Sequence, residues 1–299
     1  MRSIARNVLD FIGDTPMVRI SKVAKGELYG KAEFLNPGGS VKDRVAKYII
    51  EMAEKKGLLR PGSVIAEATS GNTGIGMTMV GVQKGYRVII VMPENMSEER
   101  KKIITALGAE LILTPADQSL NGCLAKLDEL KATVPGLFIP GQFVNPLNPE
   151  CHYLYTGHEL WKQCGGHVDI FVSGIGSGGT LMGVGRYLRE KNPKVQIVAV
   201  EPKNSAALLG REPGLHVIQG IGDGFIPEIV DRKMIDIVMT VTDEDAIDTA
   251  RALARLEGLL VGTSAGANVW CASHFTDGHK VVATILPDRA ERYFSTALI

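Results

Sequence analysis

The chain has 299 residues, 45% of them hydrophobic, and Lys plus Arg balances Asp plus Glu at 33 each. That is enough apolar material for one large α/β domain or two smaller ones. A net charge of zero argues against a nucleic-acid partner, and no apolar run approaches the roughly 18 residues of a membrane helix, so a small-molecule ligand is expected.

The start, "MRSIARNVLDFIGDTP", interrupts its apolar residues with charges and has no signal-peptide core, which points to a cytoplasmic protein. The next informative stretch is "NPGGSVKDR", Asn36 to Arg44, which opens a helical pattern over 41–57. Val45, Ile49, Met52 and Ala53 form its apolar stripe, Ser40 can cap its start, and Gly57 can end it. Buried strands are predicted at 63–69 ("SVIAEAT") and 86–93 ("YRVIIVMP"). A helix follows from Ser97 as cap, with Ile103, Ile104 and Leu107 inward, and then a strand at 110–115. Four more strands are predicted at 168–174, 195–202, 235–243 and 280–288, with a helix over 243–258 between the last two. This alternation predicts a largely parallel sheet covered by helices on both faces. Residues 40–139 read as a smaller domain with its own strand–helix layer, and 1–39 with 140–299 as a larger one. Cys123, Cys151, Cys164 and Cys271 are scattered without a CxxC pair, and the six histidines show no metal-ligand spacing, so reduced thiols and no metal are expected.

Three glycine-rich turns fall where a strand gives way to a helix, the place where open α/β sheets bind ligands. "SGIGSGGTLMG", Ser173 to Gly183, combines close backbone approach, the hydroxyls of Ser177 and Thr180, and a helix N-terminus, which together suit a phosphate. Its spacing Gly174-x-Gly176-x-x-Gly179 also matches a dinucleotide fingerprint, with Glu201 as the acid, so a nicotinamide dehydrogenase stays open as a rival. "EATSGNTGIG", Glu67 to Gly76, gathers Thr69, Ser70, Asn72 and Thr73 around Gly71, a setting for a carboxylate or simply a capped helix start. "VGTSAGAN", Val261 to Asn268, reads as strand into helix, with Ser264 as cap or ligand contact.

Lys42 stands in the first turn of a helix, where the dipole disfavours a cation. The positive potential would lower its pKa, and a neutral amine can form a Schiff base with an aldehyde. A phosphate cradle, a carboxylate loop and a low-pKa lysine are together what pyridoxal phosphate and an amino-acid substrate require.

The stretches "NPGGSVKDR", "EATSGNTGIG", "QFVNPLNP", "GIGSGGT", "EGLLVGTSAGA" and "LPDRAERYFS", in that order and nearly end to end, resemble the cysteine synthase (O-acetylserine sulfhydrylase) family. Cystathionine β-synthase is a close relative within fold type II of the pyridoxal-phosphate enzymes. The resemblance implies two open, mostly parallel twisted sheets flanked by helices, with 40–139 as a smaller mobile substrate-loop domain and 1–39 plus 140–299 as the larger phosphate-binding one. It implies that Lys42 carries the cofactor and moves the Cα proton. Asn72 would contact the ring hydroxyl, and Gly176, Ser177, Gly178, Gly179 and Thr180 the phosphate. Ser264 would face the pyridine nitrogen; Thr69, Ser70, Gly71, Thr73 and Gln142 would hold the substrate carboxylate. A hydroxyl opposite that nitrogen makes the ring a weaker electron sink than an aspartate would, which favours early loss of a Cβ leaving group and an aminoacrylate that a nucleophile attacks. A homodimer is implied as well; a serine acetyltransferase tail as a docking partner is not decided by the sequence.

"IQGIGDGFIP", Ile218 to Pro227, departs from the family pattern by its acid, Asp223. It reads either as a carboxylate turned to solvent or bonded to backbone, or as a pocket group. In the pocket it could be a general base for water, turning L-cysteine and water into L-serine and hydrogen sulfide, or could bind the ammonium of a larger thiol such as homocysteine. The expectations are therefore cysteine synthesis from O-acetylserine and sulfide, or sulfide release from cysteine favoured by Asp223. Thiol condensation of the cystathionine β-synthase type is an alternative, the dehydrogenase is more remote, and a non-catalytic amino-acid binder is the third class.

Overall fold

A computed structural model of the protein describes residues 4–69 and 71–299; Ser70, one of the expected carboxylate contacts, lies outside the described residues. The strands, in chain order, are β1 (Met17–Ile20), β2 (Glu27–Ala32), β3 (Val64–Ala68), β4 (Arg87–Pro93), β5 (Glu110–Thr114), β6 (Leu137–Phe138), β7 (Ile170–Gly174), β8 (Gln196–Pro202), β9 (Ile237–Val241) and β10 (Val281–Leu286). The α-helices are α1 (Lys42–Lys55), α2 (Asn72–Gln83), α3 (Glu98–Ala106), α4 (Ser119–Thr133), α5 (Leu147–Cys151), α6 (His158–Gln163), α7 (Gly179–Lys191), α8 (Asp243–Ala252) and α9 (Thr263–Ser273).

The chain divides into two compact units, one of Met1–Ile12 with Asn36–Gly141 and one of Gly13–Leu35 with Gln142–Ile299. The first holds a four-stranded sheet in the order β5-β4-β3-β6, parallel throughout. All five residues of β3 are buried, as are the last six of β4, which explains why both read as unbroken apolar runs. The second holds a six-stranded sheet in the order β1-β2-β10-β7-β8-β9, parallel except for the antiparallel β1–β2 pair at its edge. Its core strands β7, β8 and β10 bury Phe171, Val172, Val198, Val200, Val282 and Ile285 at 0–1% exposure. Both sheets carry helices, so the fold is the expected α/β arrangement of mainly parallel sheets. Among the described residues no helix is long and apolar enough to cross a membrane.

Local details differ from the sequence expectations. Val261 is not in a strand: it makes a single antiparallel bridge to Arg289, and the chain turns directly into α9. The cap position of α1 falls on Val41, although Ser40 Oγ still accepts from Lys42 N at 3.3 Å. Ser97 occupies the cap position of α3, but its hydroxyl accepts from Arg100 Nη1 at 3.3 Å and caps no backbone N–H. The helix expected over 243–258 is α-helical only to Ala252; Leu253–Glu257 widen to a π-turn before Gly258, at φ +70°, ends it.

Candidate active site

In the larger unit the glycine turn after β7 is anchored before it is shaped. Gly174 N donates to Asn268 Oδ1 at 2.7 Å, and Asn268 Nδ2 donates to Ile285 O on β10 at 2.9 Å, so α9 and two strands fix where the turn begins. Three glycines are then forced by close approach. A Cβ on Gly176 would stand 2.2 Å from Gly220 O, one on Gly178 (φ +83°) 2.3 Å from Val230, and one on Gly179 1.9 Å from Asn148 Oδ1. The turn opens onto α7, which has no acid in its first turn and carries Arg189 and Lys191 in its last. Free N–H groups and the positive dipole end therefore meet there, and the first turn of α7 itself adds no carboxylate.

The two hydroxyls of this turn are held by residues that the sequence did not single out. Ser177 Oγ accepts from Asn148 Nδ2 at 3.0 Å, and the same amide nitrogen donates to Gln142 O at 2.8 Å, which joins Gln142 to the cradle. Thr180 Oγ1 pairs with His152 Nε2 at 3.2 Å, and His152 Nδ1 with Thr156 Oγ1 at 3.0 Å. His152 and Thr156 belong to a π-helical stretch, His152–Gly157, between α5 and α6. The only hint of Asn148 in the sequence was its place in "QFVNPLNP"; His152 gave none.

The dinucleotide reading of the glycine spacing lacks its acid. Glu201 is buried, and both its carboxylate oxygens accept from Leu208 N, at 3.1 and 3.2 Å. Burial pushes its carboxyl pKa up, against the lowering effect of those N–H groups.

Asp223 is an exposed residue between Gly222 and Gly224, both at positive φ, +75° and +83°. Gly222 N donates to Ile175 O at 2.9 Å. The carboxylate comes to the edge of the cradle, with Oδ2 3.8 Å from the point where a Gly176 Cβ would stand. Ser264 does not cap α9. The cap position is Gly262, held where a Cβ would lie 2.3 Å from Asp288 Oδ1, and Ser264 follows inside the first turn at 4% exposure. Its neighbour Thr263 has a buried hydroxyl with no hydrogen-bond partner among the described residues.

In the smaller unit, Lys42 is the first residue of α1. The turn before it is closed by Asp43, whose Oδ2 accepts from Gly38 N at 2.6 Å. α2 crosses close to Lys42: a Cβ on Gly76 would stand 3.0 Å from Lys42 O, so the starts of both helices are brought together. Between β3 and α2, Thr69 Oγ1 accepts from Gly71 N at 3.0 Å, which turns the chain tightly at the expected carboxylate loop. Thr69 and Thr73 are buried, and Asn72 and Gly71 half-buried. Arg100 was not expected here. It is 1% exposed, and its Nε lies 3.3 Å from where a Gly71 Cβ would be, so a buried cation stands beside the loop.

In an α/β fold of mainly parallel sheets, a glycine turn that opens onto a helix N-terminus suits an anionic ligand such as a phosphate. The comparisons with known proteins agree. Residues 8–288 match the family described as pyridoxal-phosphate dependent enzymes. A cysteine synthase from Staphylococcus aureus is 45% identical over 98% of this chain and 96% of its own. The crystal structure of a cysteine synthase from Entamoeba histolytica has a TM-score of 0.95 at 41% identity, covering 99% of this chain and 91% of that one. That of a hydrogen sulfide-producing enzyme from Fusobacterium nucleatum has a TM-score of 0.93 at 40% identity, covering 97% and 100%. The chain belongs to the pyridoxal-phosphate dependent enzyme family, and the residues present fit that cofactor: the cradle offers N–H groups, hydroxyls and a dipole to a phosphate dianion, with its glycines sterically required.

Proposed function

We propose that this protein carries out β-replacement and β-elimination at Cβ of a three-carbon amino acid in cysteine metabolism. Bound at Lys42 and in the cradle of Gly176, Ser177, Gly178, Gly179 and Thr180, pyridoxal phosphate supplies an aldehyde for covalent attachment and a sink for charge developing at Cα. Lys42 Nζ takes the proton from Cα and returns it. Thr69, Ser70, Gly71, Thr73 and Gln142 hold the substrate carboxylate, Asn72 the ring hydroxyl, and Ser264 offers the ring nitrogen an uncharged hydroxyl. A homodimer, carried over from the family likeness, is part of this reading.

Within that class we assign Asp223 to the choice of nucleophile, and its position at the rim of the cradle, beside Gly176, carries the assignment. As general base, its carboxylate takes a proton from water as the water oxygen bonds to Cβ. The Cβ–S bond of L-cysteine breaks in the same turnover, and the products are L-serine and hydrogen sulfide. The likeness to a hydrogen sulfide-producing enzyme supports this direction. A second reading follows from the same charge: Asp223 would bind the ammonium of a larger thiol, and the product would be a thioether. Product analysis on L-cysteine, with and without homocysteine, separates them. Asp223→Asn should lower serine and sulfide formation by about 100-fold, the lower end of what general-base catalysis supplies. Equal serine and sulfide from both proteins would remove Asp223 from the reaction.

A further inference from the structure

The residue before Asp223 is fixed at both of its backbone polar groups. Gly222 N donates to Ile175 O at 2.9 Å, which ties the loop to the residue preceding Gly176. Gly222 O accepts from Ser205 Oγ at 2.9 Å and from His216 Nε2 at 3.0 Å. At φ +75°, and with a Cβ site 2.6 Å from Pro202, position 222 admits only glycine, the residue most in need of external restraint.

His216 reaches this carbonyl from an exposed loop. Its neighbours Leu215 and Val217 are 96% and 47% exposed, while the ring turns inward. A carbonyl oxygen can only accept, so Nε2 carries the proton of that bond. His216 Nδ1 is buried and has no hydrogen-bond partner among the described residues, so the polar work of the ring is that one donation. Two donors converging on one oxygen leave the peptide between Gly222 and Asp223 a single orientation. That plane sets the Cα of Asp223 and thus the reach of its carboxylate over Gly176.

We propose that Ser205 and His216 are positioning residues for Asp223, clamping the Gly222 carbonyl so that the carboxylate is aimed for the attack of water. This inference rests on the reading of Asp223 given above. A misplacement of about 1 Å can reduce a rate by about 100-fold, and each clamp donor is one of two, so the expected effect of losing one is roughly tenfold.

The test uses the cofactor-loaded enzyme in two assays: serine and sulfide from L-cysteine, and cysteine from O-acetylserine plus sulfide, whose nucleophile needs no base. His216→Leu and Ser205→Ala should each lower serine formation by roughly tenfold and change the O-acetylserine reaction by less than about twofold. His216→Gln, which keeps a donor near the Nε2 position, should recover most of the loss. In the Asp223→Asn background, His216→Leu should have little further effect on serine formation. If Asp223→Asn is impaired but the His216 and Ser205 variants lower both reactions equally, or neither, the clamp is structural and the inference falls alone. If Asp223→Asn itself makes serine at the wild-type rate, the reading of Asp223 falls and the inference falls with it.

Discussion

At the scale of single residues, the cradle is the part of the site that the sequence states most clearly. Gly176, Gly178 and Gly179 were legible because each glycine answers a steric demand, and the structure supplies the atoms that make it: Gly220 O, Val230 and Asn148 Oδ1. Gly176→Ala must push away the backbone at Gly220, on the loop that bears Asp223, so it should weaken cofactor retention by at least about tenfold. Dialysis followed by the absorbance of the bound cofactor checks this, and full retention would mean that the cradle tolerates a methyl group. His152 and Arg100 were not legible, and Asn148 only through its place in "QFVNPLNP", because the contacts that bring them to the site, Thr180, Gly71 and Ser177, lie in other elements that no spacing rule reaches. Asn148 shows what this omits: Asn148→Ala removes the donor shared by Ser177 Oγ and Gln142 O. The variant should be destabilised by about 1–3 kcal/mol, measured by chemical denaturation, as for other buried groups that lose a partner.

At the scale of elements, buried parallel strands announce themselves and edge pieces do not. The seven strands expected from apolar runs are present as β3, β4, β5, β7, β8, β9 and β10, within a few residues of the expected ends. β1 and β2, four and six residues at the antiparallel edge, and the two-residue β6 are too short or too polar to stand out from turns. Caps misled at Ser97 and Ser264, where the hydroxyl type suits a cap but the helix starts elsewhere or the side chain has another partner. The contact of α1 with α2 depends on the missing side chain at Gly76, so Gly76→Val should lower stability by about 1–3 kcal/mol through overpacking against Lys42 O. Glu201, at the end of β8, gives a pH-dependent prediction. Its folded-state pKa is raised, chiefly by burial. Its contribution to stability is therefore present in full below the unfolded carboxyl value and is lost as pH rises through the folded one. Glu201→Gln should remove that part of the pH dependence, so melting curves of the two proteins should draw apart in the wild type's favour as pH falls toward 4. Parallel curves would contradict this account of Glu201.

At the scale of the whole molecule, the class of protein was legible because separate stretches agreed on one chemistry. A glycine turn before a helix and a lysine at a helix start each carry little alone. The match of residues 8–288 to the pyridoxal-phosphate dependent enzymes bears out the class. The choice of substrate was less legible, because the proposal for it rests on one acid in one loop, and a single side chain has no periodicity or spacing to confirm it. All of the proposed chemistry requires the cofactor aldehyde to be bonded to one particular amine. The most direct measurement is reduction of the loaded enzyme with borohydride, followed by peptide mass mapping. The account predicts the cofactor's mass on the peptide containing Lys42, and no adduct in Lys42→Ala. A loaded enzyme with no adduct on that peptide, or with the adduct on another lysine, would contradict it.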